Sequence, residues 1–160
     1  MPMPATTGKS AYLERAVLDY LLPPSGGATT YSAPSQLYVA LYTGGTVNED
    51  GTLGSGVSEV SSTGTGYSRV AINNGGTNSI WTAASSDANT GVTTKTNNAD
   101  ITFPTATSSW GTLTGFAIWR VSTGGSATDL IIAGLLTTSV NINTNDQFKI
   151  PAGSLIITEE

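Results

Sequence analysis

The segment GFAIWRV (residues 115–121) is the strongest strand signal in the chain, a run of apolar, aromatic and β-branched residues that favours a pleated, buried surface. The Thr123-Gly124-Gly125-Ser126 stretch that follows is a turn. Downstream, residues 130–136, 139–142, 147–150 and 155–158 read as further strands. Upstream, residues 99–103 form a strand closed by Pro104. Residues 37–42 (LYVALY) are apolar on both faces, which predicts a central strand. In residues 67–72, Val70 and Ile72 share one face while Tyr67 and Arg69 share the other. Residues 80–84 give a weaker strand. A long loop rich in Gly and Ser spans 43–66, with a short pairing near 57–60, and the polar stretch 85–98 is expected to project as a loop. Roughly eight to ten short strands with closely spaced turns predict a mainly β chain, a single β-sandwich or jelly-roll-like domain.

One N-terminal α-helix precedes this domain. It is expected over residues 10–22, with Ser10 as N-cap and Pro23-Pro24 as its stop. Leu13 stands where a capping-box Glu would reach back, so the box is incomplete. Leu13, Val17, Tyr20 and Leu21 make one apolar stripe, and Arg15 and Asp19 are spaced to pair on the opposite side. The stripe serves either to cap an open end of the sandwich or to dock on a neighbouring subunit, which makes these four residues a candidate interface. The expected division is residues 1–24 as arm and helix and 25–160 as the β-sandwich domain.

The composition is short of reactive side chains. There is no His and no Cys, and charged residues are only 11% of the chain, less than half the usual share. Zinc is therefore not expected, and acid–base catalysis would fall to carboxylates alone. Glu49-Asp50 and Glu159-Glu160 are the close acidic pairs, and adjacent residues of an extended chain point opposite ways, so both read as solvated loop and tail. Asn48-Glu49-Asp50-Gly51 offers oxygen ligands to calcium but lacks the spaced acidic pattern, and turn chemistry explains it better. Gly44-Gly45, Gly75-Gly76 and Gly124-Gly125 read as hairpin turns rather than phosphate cradles. No catalytic residue, cofactor or metal is expected, and the chain reads as a non-enzyme. A net charge of −5 with scattered Lys and Arg argues against nucleic acid. No run has the length to span a bilayer and no signal peptide is recognisable, so a soluble protein with no membrane partner is expected. Trp81, Trp110, Trp119, Tyr38, Tyr42 and Tyr67 read first as core or subunit-interface aromatics and second as a sugar-stacking platform. Glu59 and Arg69 are placed to form an ion pair across two strands.

Four segments carry a resemblance. They are LERAVLDYLL with LYVALYTG, EVSSTGTGYSRVAI (59–72), NADITFPTATSSWGTLTGFAIWR (98–120) and FKIPAGSLIIT (148–158). Together they resemble a family of small virion proteins of tailed bacteriophages, described variously as tail fibre proteins or as head cement (decoration) proteins. Glu59, Gly66, Tyr67 and Arg69 match the family's Glu, Gly-Tyr and Arg pattern. Trp110 and Gly111 match its Trp-Gly, and Pro151, Ala152 and Gly153 match its Ile-Pro-Ala-Gly turn. Trp119-Arg120 departs from it, standing where a more acidic stretch is expected. The resemblance implies scaffold roles for the matching residues. It also implies a structural protein, first a capsid cement protein on the virion's capsid surface, made in the host cytoplasm, with the major capsid protein as partner and a homotrimer as its form. A tail fibre or neck component is the alternative, and a glycan-binding module is the alternative of another class.

Overall fold

The structure is a computed structural model that describes residues 3–4, 7–25 and 32–159. Its elements are β1 (Met3–Pro4), β2 (Thr7–Lys9), α1 (Ala11–Leu21), β3 (Gln36–Thr43), β4 (Ser58–Glu59), β5 (Val70–Asn73), β6 (Ser85–Ser86), β7 (Thr93–Thr96), β8 (Ile101–Thr105), β9 (Gly111–Trp119), β10 (Leu130–Ile142), β11 (Gln147–Ile150) and β12 (Leu155–Glu159). The fold is mainly β and sandwich-like with one helix, as the strand spacing predicts.

A large sheet runs in the order β2-β10-β9-β3-β4, with β5 also paired to β3. A second sheet, β1-β12-β7-β6, and a two-stranded sheet, β11-β8, cover one of its faces. Between them lies the main core, with Phe116 and Ile118 of β9, Leu37, Val39 and Leu41 of β3, Phe103 of β8, Ile150 of β11 and Leu155 of β12. The opposite face of the large sheet holds a smaller core of Ala40, Tyr42, Ala117, Trp119, Leu130 and Ala133. Val47 and Val57, from the excursion between β3 and β4, pack against it. Two covered faces explain why β3 and β9 are apolar throughout.

A bulge changes the phase of β9. Gly115 pairs with Tyr42 and Leu135, whereas Leu113 pairs with Thr43 and Val140. The shift turns Leu113 into the same core as Phe116. Thr114 anchors the bulge, its hydroxyl accepting from the Gly45 N–H at 2.7 Å and donating to the Gly45 carbonyl at 2.9 Å. Residue 115 must be glycine, since a Cβ there would lie 2.4 Å from the Gly45 oxygen.

Several strand expectations are corrected. Tyr67 and Arg69 precede β5 rather than sharing a strand with it, and 80–84 supplies only a bridge between Trp81 and Asn97. Residues 85–98 are not a projecting loop, because β6 and β7 form a hairpin whose β7 pairs with β12. Pro104 does not end β8 but lies inside it, at the irregularity where the β8–β11 register shifts between Thr102–Lys149 and Thr105–Gln147, a place in a sheet that tolerates a missing N–H. Residues 130–142 are one strand, whose slip between Leu135 and Val140 gives the sequence its two-strand look. Gly75-Gly76 leads into a single 3₁₀ turn at Gly76–Asn78 rather than a hairpin. The N-terminal arm contributes strands to two sheets: β1 lies parallel to β12, and β2 lies antiparallel to β10. No helix among the described residues is long and apolar enough to cross a membrane.

Candidate functional site: an apolar helix end on a locked scaffold

Helix α1 is fixed at its start. Ser10 is fully buried, and its hydroxyl caps the Leu13 N–H at 3.2 Å while donating to the Leu130 carbonyl at 2.6 Å. The Ser10 N–H reaches the Ile131 carbonyl and the Ala11 N–H that of Glu49, both at 3.0 Å. Arg120, the residue after β9, adds a tie, donating to the Tyr12 hydroxyl at 2.9 Å with its guanidinium 5.8 Å from that ring. So Arg120 of the Trp119-Arg120 pair helps hold the helix to the sheet.

The second half of the helix is different. Leu13 packs against the main core and Ala16 is buried, but past Ala16 every residue to Leu22 except Asp19 is exposed. Val17, Leu18, Tyr20, Leu21 and Leu22 expose between 40% and 74% of their surface. The expected stripe is therefore divided: Leu13 faces inward, and Val17, Tyr20 and Leu21 do not cap the sandwich. Leu18 and Leu22, off the expected stripe, widen the outer face, because residues three and four apart are neighbours on a helix. Arg15 Nε donates to the Ala11 carbonyl at 3.3 Å rather than meeting Asp19.

The scaffold residues form two clusters. In the first, Arg69 is clamped in bidentate fashion by Glu59, at 2.8 and 2.7 Å, and also donates to the carbonyls of Val121 and Gly124. Its side chain is 3% exposed and that of Glu59 28%. The Arg69 guanidinium lies 4.8 Å from the Trp119 ring, whose N–H donates to the Tyr42 hydroxyl at 3.0 Å. Tyr67 donates to Glu59 at 3.1 Å and accepts from the Leu41 N–H at 3.0 Å. Burial opposes the charge on Arg69, but hydrogen bonds and charge from Glu59 outweigh it and hold its pKa above the usual value. With its donors turned inward, this cluster ties β4, the approach to β5 and the turn after β9 together.

Burial, reinforced by Glu59, pushes the Tyr42 hydroxyl up to about 12 and raises Tyr67 as well. In the unfolded chain both ionise near the ordinary value of about 10. Their contribution to stability is thus complete below about pH 10 and is lost as pH rises toward the folded values. Going from pH 9 to pH 10.5, denaturant titrations are expected to register a loss of roughly 1.5 kcal/mol for the pair. A flat profile would contradict the burial of these hydroxyls.

In the second cluster, Gly66 sits at φ +73°, where a Cβ would meet the Thr105 oxygen at 2.9 Å. Trp110 donates to the Thr65 carbonyl at 2.9 Å and meets the Tyr67 ring edge-on, at 5.4 Å between centroids. Gly111 and Gly153 also take positive φ. Asn97, 1% exposed, holds the Pro151-Ala152-Gly153 bend: its amide donates to the Ala99 and Pro151 carbonyls, and its side-chain oxygen accepts from Leu155. Sequence reasoning missed Asn97, since only the fold brings it against residues 151–155.

The sugar-stacking platform is not assembled. Trp110, Trp119, Tyr42 and Tyr67 are buried. Trp81 packs against the main core, while Tyr38 alternates onto the other face of the large sheet. Asp50 accepts from both the Thr52 N–H and hydroxyl, which makes the 48–51 stretch a turn, and burial adds little there. Glu160 lies outside the described residues. Among the described residues, no cluster of three or more acidic side chains is grouped to hold a metal.

Residues 8–158 match a family model described as "Podophage GP4 fiber I protein gp80". No curated protein matches the chain.

Proposed function

The chain belongs to the podophage GP4 fiber I protein gp80 family, a family of phage virion structural proteins, and from this we propose that it is a tail-fibre component that assembles through helix α1. Virion placement fits that family; placement on the fibre is favoured over the capsid surface because the family's description is of a fibre. The protein acts without catalysis and without a cofactor, as a part of an assembly. The observation that carries the reading is the outer face of Val17, Leu18, Tyr20, Leu21 and Leu22, presented by a helix whose first turn is fixed to the β-body. An exposed apolar surface of this kind marks an interaction site. In a homotrimer the three copies would bring these faces together about one axis, with closed symmetry leaving none exposed.

Cement binding to the major capsid protein is the second reading, and a label on the virion separates the two. Antibody raised against the folded protein and imaged by electron microscopy is expected to mark the tail apparatus. Labelling spread over the capsid shell would overturn the fibre reading and support the cement one.

A further inference from the structure

Beside the start of α1 lies an open hollow of about 790 Å³, between β2, β10 and the excursion that follows β3. Gly8, Ala11, Ala133 and Leu135 line it on one side, and Glu49 and Asp50 line it on the other. Ala133 is buried there, whereas Leu135 is 48% exposed. The Glu49 carboxylate lies over Gly8, since a Cβ on that glycine would stand 2.9 Å from its Oε1. Hydrogen bonds from the Thr52 hydroxyl and N–H hold the Asp50 carboxyl below its usual pKa, so it is charged at neutral pH. The hollow thus joins small residues and an exposed leucine to an acidic rim.

Ala11 belongs to two surfaces. Ala11, Arg15, Leu18 and Leu22 fall at i, i+4, i+7 and i+11, along one face of α1. The Leu22 N–H still bonds the Leu18 carbonyl, at 2.7 Å, which keeps Leu22 on that face. The face therefore runs from the hollow at Ala11, past Arg15, the one cation of the helix, to the exposed Leu18 and Leu22. One end of it is concave and acidic. The other projects, apolar and headed by a positive charge. These ends are complementary, yet the helix holds Leu22 about 16 Å beyond Ala11, and neither leucine lines the hollow of its own chain.

We propose that Leu18 and Leu22 of one copy seat against Leu135 in the hollow of the next copy, with Arg15 facing Glu49 and Asp50. This rests on assembly through α1 and names the surface that receives it. Each copy gives a helix end and receives one, so the contact is heterologous, and in a trimer it closes as a ring. Apolar side chains supply the burial, while the opposite charges fix the register and disfavour a reversed helix.

The chain has no cysteine, so a Leu22→Cys, Leu135→Cys variant carries only the two thiols introduced. Both positions are exposed, and the fold loses little by the changes. Oxidation in air is expected to join three chains covalently on a non-reducing gel, because a disulfide needs Cα atoms within about 7 Å and the neighbour's helix end brings them there. Each single variant should remain one chain on the same gel. Charge reversal gives a second readout. Glu49→Lys is expected to raise the concentration at which the assembly dissociates by about tenfold, and adding Arg15→Glu should restore it. Bands of only one or two chains from the double-cysteine variant, or a Glu49→Lys defect that Arg15→Glu does not repair, would overturn the docking. If the native assembly still dissociates on Leu18→Asp with Leu21→Asp, either result removes the hollow alone and leaves assembly through α1 standing. A native protein that is a single chain removes both.

Discussion

Glu59→Ala is expected to destabilise the folded protein by about 3 kcal/mol, because it strands the buried charge of Arg69. Arg69 is 3% exposed and would keep only the Val121 and Gly124 carbonyls as acceptors. It would also lose the anion that holds it over Trp119, while the Tyr67 hydroxyl would lose its acceptor. Breaking a buried pair from one side costs about 3–5 kcal/mol; the partial exposure of Glu59 places this case at the lower end. For a domain of this size, that amounts to a fall in Tm of roughly 6–12 °C. Arg69→Met should cost less, since it removes the buried charge itself and leaves Glu59, whose side chain is 28% exposed, able to reach water. Denaturant titrations of the three proteins at equal concentration would establish the order, and a loss below about 1 kcal/mol for Glu59→Ala would show that the clamp is not structural.

Leu18→Asp combined with Leu21→Asp is expected to abolish assembly while leaving the β-body folded. Both side chains are more than half exposed, so the substitutions cost the isolated chain little. In an assembly they would place charges at the centre of an apolar contact, where an unpaired charge is strongly disfavoured. The expected result is a single chain by light scattering, with near-UV circular dichroism and Tm like those of the native chain once assembly-linked stability is allowed for. Loss of the folded signal instead would mean that the outer face of α1 belongs to the core.

The strands at 37–42 and 115–121 were legible because two covered faces make a strand apolar in both phases, a pattern with no helical reading at that length. The Glu59–Arg69 pair was legible too, as two opposite charges in a chain with few. The β6–β7 hairpin was not: Thr and Ser on both faces of a partly exposed strand look like a loop. Nor was the Thr114 bulge, since it depends on Gly45 crossing beside Gly115. The helix stripe was read correctly as apolar, but periodicity cannot tell which part of it meets its own core. Only the ties at Ser10 and Arg120, which settle the first turns against the sheet, decide that the later turns face outward.

The mass of the intact native protein in solution tests most directly whether that outward face is an assembly surface. Light scattering across micromolar concentrations should return three chains per particle, falling to one in the Leu18→Asp, Leu21→Asp variant. A native protein that stays a single chain throughout would contradict assembly through α1.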